Sequence, residues 1–193
     1  MQNPPLPRDP AAMLDSAVAQ WGGQEDLWVF AYASLIWRPD FDFAEQQPAR
    51  VHGWHRALKM WSHINRGTPE CPGLVFALLS GGCCDGFVFR VPRAHGHTVL
   101  DTLWAREMST GVYNPKWLHC ATPAGPVRAL TFTLSRSSPS FTGDLSDTQY
   151  RQIFSESCGR YGSTLHYARQ TFECLQSRGI HDRALARLLR HAD

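Results

Sequence analysis

Short apolar runs with strand-like spacing recur through most of the first 134 residues. The run Leu27–Ala31 is apolar at every position, which is typical of a buried strand. Further runs, bounded mostly by Gly, Pro or Asp, predict strands over residues 49–60, 73–79, 86–91, 117–121 and 127–134. Cys83 and Cys84 lie between two of these runs, and we expect a hairpin turn there.

Helical patterns flank the strand-like runs. Asp9 is a candidate N-cap with Pro10 in the first helical position, and the helix is expected to end at about Trp21, before two glycines. A second helix is predicted over residues 97–110, where apolar residues recur every three or four positions. Three more are expected to open at Ser146, Ser163 and Asp182, the first two running to Cys158 and Arg178.

The order of these elements predicts an α+β fold, with a compact, barrel-like mixed β-sheet and flanking helices. Residues 1–8 are rich in proline and predict an irregular leader. Residues 9–193 are expected to form a single domain, because a chain of 193 residues is long enough to bury its own core.

Composition narrows the classes of partner. A formal net charge of +2 with 19% charged residues, and no basic block, argues against nucleic-acid binding. No apolar run is long enough to cross a membrane, and the N-terminus lacks the features of a signal peptide, so we expect a cytoplasmic protein with a small-molecule substrate. The six cysteines lack the paired spacing of a zinc site, so no metal is expected; the sequence leaves the oligomeric state open.

Two segments carry candidate chemistry. The loop Tyr32–Trp37 follows a predicted buried strand, and its small residues allow a ligand to approach backbone N–H groups. Downstream, Glu107 lies in an apolar, aromatic helical stretch, where burial would raise its pKa towards general acid and base duty. The alternatives are a solvated Glu107 paired with Lys116, and a nucleophilic Ser34, although no G-x-S-x-G pentad surrounds that serine.

Three segments together resemble the ChaC-type γ-glutamylcyclotransferases. They are Tyr32–Trp37, Arg66-Gly67-Thr68-Pro69, and Arg106-Glu107 through Gly111 and Tyr113, and they occur in the family's order. The resemblance extends from about Trp28 to the C-terminus. Ala33 stands where the family usually has glycine, and a loop that needed a positive φ there would disfavour alanine.

The resemblance implies a γ-glutamylcyclotransferase-like fold and cleavage of glutathione to 5-oxoproline and cysteinylglycine, with no metal or cofactor. Glu107 would be the general acid and base, and Arg66 would bind the glycine carboxylate unless it pairs with Glu70 instead. The other substrate-binding residues would be Tyr32, Ala33, Ser34, Leu35, Tyr113 and Tyr167, although packing roles for the three tyrosines remain open. Two alternative functions also remain open: cyclotransfer on other γ-glutamyl peptides or amines, and a non-catalytic γ-glutamyl-binding regulatory protein.

Overall fold

The structure is a computed structural model that describes residues 8–192. Five strands form a closed barrel in the order β1-β3-β2-β4-β5. Neighbouring strands in this order pair antiparallel, while β5 makes parallel bridges to β1 and β3 and so closes the barrel. The predicted α+β class with a barrel-like mixed sheet is confirmed. The strands are Leu27–Ala31 (β1), Glu45–Ser62 (β2), Gly73–Val91 (β3), Asn114–Thr122 (β4) and Gly125–Thr133 (β5).

The predicted hairpin turn at Cys83 and Cys84 is wrong. Both cysteines lie inside the continuous strand β3, where they pair with His52 and Val51. Gly81 and Gly82 do adopt positive φ values, 97° and 74°. The strand nevertheless continues through them, with a shift in its pairing register against β2 between His52 and Trp54. The two strands predicted over 73–79 and 86–91 are therefore one, and residues 63–72 connect β2 to β3.

The helix starts follow the predicted caps. Asp9 accepts a hydrogen bond from Ala11 N at 2.9 Å, and Ser146, Ser163 and Asp182 cap the later helices in the same way. Two helices are shorter than predicted. The second ends at Glu107, and the third ends at Glu156, before a two-residue strand that begins at Cys158. The helices are Pro10–Trp21 (α1), Gly96–Glu107 (α2), Asp147–Glu156 (α3), Thr164–Ser177 (α4) and Arg183–Leu189 (α5).

The core fills the barrel and the space beneath the helices. Phe30 of β1, Phe89 of β3 and Leu130 of β5 are fully buried, and Leu100 and Leu103 place one face of α2 in the same cluster. Within residues 8–192, no helix has the length and apolar composition that a membrane crossing requires. The predicted leader falls almost wholly on residues 1–7, outside the described part of the chain; Arg8 is described and precedes α1.

Candidate active site

A small cleft lies where β1 ends and the loop Tyr32–Trp37 begins. Its lining brings together residues from five separate parts of the chain. Seven of the eight predicted site residues line it, Arg66 being the exception, and two phenylalanines complete the wall. The lining residues are Tyr32, Ala33, Ser34, Leu35, Phe76, Glu107, Tyr113, Phe132 and Tyr167.

The loop after β1 turns sharply through one 3₁₀ turn, Ser34–Ile36. Ala33 has φ −145° and ψ −124°, so its backbone lies outside the left-handed region that would require glycine. Ile36 N donates to the Ala33 carbonyl at 2.9 Å, whereas the first N–H groups of such a turn have no acceptor within it. The N–H groups of Ser34 and Leu35 therefore have no acceptor within this turn.

Glu107 is the last residue of α2, and its side chain is 17% exposed. Burial raises the pKa of this carboxyl above its ordinary value, the charge and hydrogen bond of Arg106 oppose that effect, and Asp40 adds to it. The ion partner of Glu107 is therefore Arg106, at 2.9 Å, while the Lys116 ammonium lies over the ring of Trp54. A half-buried carboxyl of raised pKa in a cleft has the properties of a general acid and base.

Arg106 joins the carboxylate to the loop. Its guanidinium donates to Ser34 Oγ at 3.1 Å and to Asp40 Oδ2 at 2.7 Å, and also to the Arg38 carbonyl. Ser34 Oγ thus accepts from a permanently charged group that cannot act as a base, which argues against nucleophilic serine chemistry.

Three tyrosine hydroxyls line the cleft and are hydrogen-bonded to main chain. The Tyr32 hydroxyl donates to the Phe132 carbonyl at 3.0 Å, and that of Tyr113 donates to the Phe76 carbonyl at 3.2 Å. Since each proton is used, both oxygens offer a ligand only lone pairs. Tyr167 instead accepts from Phe76 N at 3.4 Å and keeps a proton to donate. Desolvation raises the pKa of all three phenols, that of Tyr167 to about 12, so they stay neutral near pH 7.

A family model described as ChaC-like protein matches residues 27–193, which covers the barrel, the loop and Glu107. The chain belongs to the ChaC-like family. Its relatives include the glutathione-specific gamma-glutamylcyclotransferase of Escherichia coli (strain K12), 31% identical over 93% of this chain and 78% of the relative. The enzyme of the same name from Schizosaccharomyces pombe is 30% identical over 80% of this chain and 88% of the relative.

Solved structures share the fold of this ChaC-like chain. The crystal structure of a yeast γ-glutamyl cyclotransferase specific to glutathione has a TM-score of 0.78 with 21% sequence identity, covering 87% of this chain and 96% of that one. YkqA from Bacillus subtilis has a TM-score of 0.59 with 15% identity, covering 92% of this chain and 58% of that one. At these identities the likeness describes the fold.

Arg66 of this ChaC-like chain contacts Tyr167, one of the residues that line the cleft. The residue is 8% exposed, its guanidinium stands 4.7 Å from the ring centroid of Tyr167, and it donates to the Tyr161 carbonyl. Desolvation lowers the pKa of the guanidinium. Among residues 8–192 no carboxylate forms an ion pair with it, so the expected alternative pairing with Glu70 is not formed. A buried cation without a counter-ion is unusual in a folded protein.

Sequence reasoning missed three contributors to this site. Phe76 and Phe132 occupy ordinary apolar strand positions, and nothing in their local sequence distinguishes a cleft wall from a core residue. The sequence motif contains Arg106, but only the tertiary structure shows that its contacts to Ser34 and Glu107 link the two candidate segments.

Proposed function

We propose that this protein is a glutathione-directed γ-glutamylcyclotransferase, a carbon–nitrogen lyase that releases 5-oxoproline and cysteinylglycine. The observation that carries the proposal is the half-buried carboxyl of Glu107, in one cleft with the loop Tyr32–Leu35, in a chain of the ChaC-like family. Relatives across most of the chain's length bear the name of this activity.

The reaction joins two atoms of one substrate. The α-amino nitrogen of the γ-glutamyl group attacks its own γ-carbonyl carbon, a C–N bond closes the five-membered lactam, and the C–N bond to the cysteine nitrogen breaks. Two protons leave the attacking ammonium nitrogen and two arrive on the departing nitrogen. Glu107 accepts protons from the first and delivers them to the second, so that one carboxyl performs both tasks.

The cleft provides complementary groups for each part of the γ-glutamyl moiety. The lone pairs of the Tyr32 and Tyr113 hydroxyls accept from the α-ammonium group and orient it before attack. The N–H groups of the loop donate to the oxygen on which negative charge develops in the tetrahedral intermediate. Each interaction is stronger when the substrate is folded for attack than when it is extended.

Arg66 recognises the glycine carboxylate of glutathione. Its buried guanidinium lacks a carboxylate partner in residues 8–192 and lies one side chain, Tyr167, away from the cleft. A substrate carboxylate would supply the missing counter-ion through a charge-assisted hydrogen bond. We place the reaction in a reducing compartment, the cytoplasm, in keeping with six free cysteines.

The test is incubation of the purified protein with glutathione while 5-oxoproline and cysteinylglycine are quantified in equal amounts. Glu107→Gln is expected to lower kcat by about 10²–10⁴-fold, the usual contribution of a general acid and base. Glu156→Gln is the matched control, because Glu156 is an exposed glutamate at the end of another helix, and its variant should retain full activity.

A second outcome is a wild type that is inactive on glutathione but turns over γ-glutamyl dipeptides or γ-glutamylamines. That result would support the cyclotransferase reaction and show that glutathione is not its substrate. Binding of these compounds without any turnover by the wild type would refute the enzyme and favour a binding protein.

A further inference from the structure

A second arginine, Arg56, contacts the loop Tyr32–Trp37, which we call the substrate loop. Arg56 of β2 has a side chain that is only 4% exposed, and its Nε and Nη2 lie 3.0 and 2.7 Å from one oxygen, Oδ2, of Asp182. The other oxygen of Asp182 accepts from Leu185 N at 2.9 Å and caps helix α5. The carboxylate thus holds a C-terminal helix and a barrel arginine at once.

The remaining nitrogen of Arg56 contacts the loop itself. Its Nη1 donates to the Tyr32 carbonyl at 2.6 Å and to the Asp85 carbonyl at 3.1 Å. Strand β1 ends at Ala31, so the peptide that joins Tyr32 to Ala33 lies beyond the named strand. Arg56 therefore supplies a side-chain donor to the Tyr32 carbonyl just beyond the point where the backbone pairing of β1 with β3 ends.

We propose that the Arg56–Asp182 pair is a positioning device for catalysis, which sets the direction of the Ala33 N–H towards the reacting carbonyl oxygen. The C=O and N–H of a trans peptide point in opposite directions, and the described chain contains no cis peptide bond. An arginine that fixes the Tyr32 carbonyl therefore also fixes the Ala33 N–H. This inference rests on the proposed function and assigns to it two residues that do not line the cleft.

Burial makes this support rigid. Both charges are removed from most of the water, so neither group readily changes partner, and loss of one leaves the other uncompensated. The contact to Asp85 is made to its carbonyl, while its carboxylate is occupied by Arg50 at 2.6 and 2.7 Å. Arg50 also lies on β2 and pairs with a residue of β3, but within residues 8–192 no hydrogen bond or ion pair joins it to the substrate loop, so it serves as the control.

The experiment compares Arg56→Gln, Asp182→Asn and Arg50→Gln with the wild type, measuring kcat and KM for glutathione below the temperature at which any variant begins to melt. Loss of one aligned oxyanion donor lowers kcat by about 10²-fold, so we expect a fall of that order for Arg56→Gln and a smaller rise in KM. Asp182→Asn retains a capping oxygen but removes the charge that holds Arg56, and is expected to lose about tenfold in kcat. Arg50→Gln should stay within about twofold, as exposed ion pairs contribute little.

A purely structural role would lower the melting temperature while kcat of the folded enzyme stayed at the wild-type value. That result, with an active wild type, overturns the positioning role and leaves the proposed function intact. A wild type that turns over neither glutathione nor γ-glutamyl dipeptides nor γ-glutamylamines overturns both the positioning role and the proposed function. If Arg56→Gln does not fold, the kcat of Asp182→Asn decides between the two roles.

Discussion

Arg106 and Glu107 are consecutive residues at the end of α2, and their side chains form an ion pair with Arg106 Nε 2.9 Å from Glu107 Oε1. The same guanidinium contacts Ser34 Oγ, so one side chain connects the proposed catalytic carboxyl to the substrate loop. Burial and the adjacent cation act on the pKa of Glu107 in opposite directions, and burial prevails. The pKa of the carboxyl is thereby raised above its ordinary value, which is the direction that general acid and base catalysis requires.

The pH profile of activity should respond to Arg106. Removing the cation in Arg106→Gln takes away the main influence that lowers the pKa of Glu107, so the pKa rises further. The base form is then lost at a higher pH, and the acidic limb of the kcat/KM profile moves towards higher pH. Arg106→Lys keeps the charge and should show a smaller displacement. Identical acidic limbs in the wild type and Arg106→Gln would contradict this account.

The free energy of unfolding should also depend on pH because of Glu107. The folded pKa of Glu107 is raised, so between the ordinary glutamate pKa and the raised value the folded state binds more protons than the unfolded state. The free energy of unfolding therefore falls as pH rises through that interval. Relative to Glu107→Gln, the wild type should lose stability between acidic and neutral pH in urea titrations. A constant difference in stability across that range would show that the Glu107 carboxyl is not desolvated.

Arg66 should discriminate substrates by their C-terminal carboxylate. Arg66→Gln is expected to raise KM for glutathione by about 10–100-fold, because a charge-assisted hydrogen bond is worth roughly 1.5–3 kcal/mol. KM for a γ-glutamylamine, which has no such carboxylate, should change little. Steady-state kinetics on both substrates with the same preparation check this, and equal effects on the two would assign Arg66 to packing instead.

Gly73 should be sensitive to a single added methyl group. A Cβ at Gly73 would lie 2.1 Å from the Arg66 carbonyl oxygen and 2.6 Å from Thr164 Oγ1, so the turn that carries Arg66 must move. Gly73→Ala is expected to lower the free energy of unfolding by about 3 kcal/mol and to raise KM for glutathione. Gly143→Ala, with φ 69° and open space around the new Cβ, should lose about 1 kcal/mol and leave KM unchanged. A smaller loss for Gly73→Ala than for this control would refute the close contact.

Local signals predicted much of the fold. The helix starts at Pro10, Asp147, Thr164 and Arg183 follow from cap residues that lie next to them in the chain. The error at Cys83 and Cys84 has the opposite origin. Two adjacent glycines are a local turn signal, but pairing of β3 with β2 on both sides of them outweighs it.

The sequence by itself determined the alternation of strands and helices, the two motifs that carry Glu107 and the loop, and hence the family resemblance, because each is encoded in neighbouring residues. Only the tertiary structure decided that burial raises the pKa of Glu107, that Arg66 has no carboxylate partner in the described chain, and that Arg56 holds the Tyr32 carbonyl. These facts depend on contacts between groups far apart in the chain, such as Arg56 and Asp182, which are 126 positions apart. They also depend on burial, because the folded barrel and helices exclude water from these side chains.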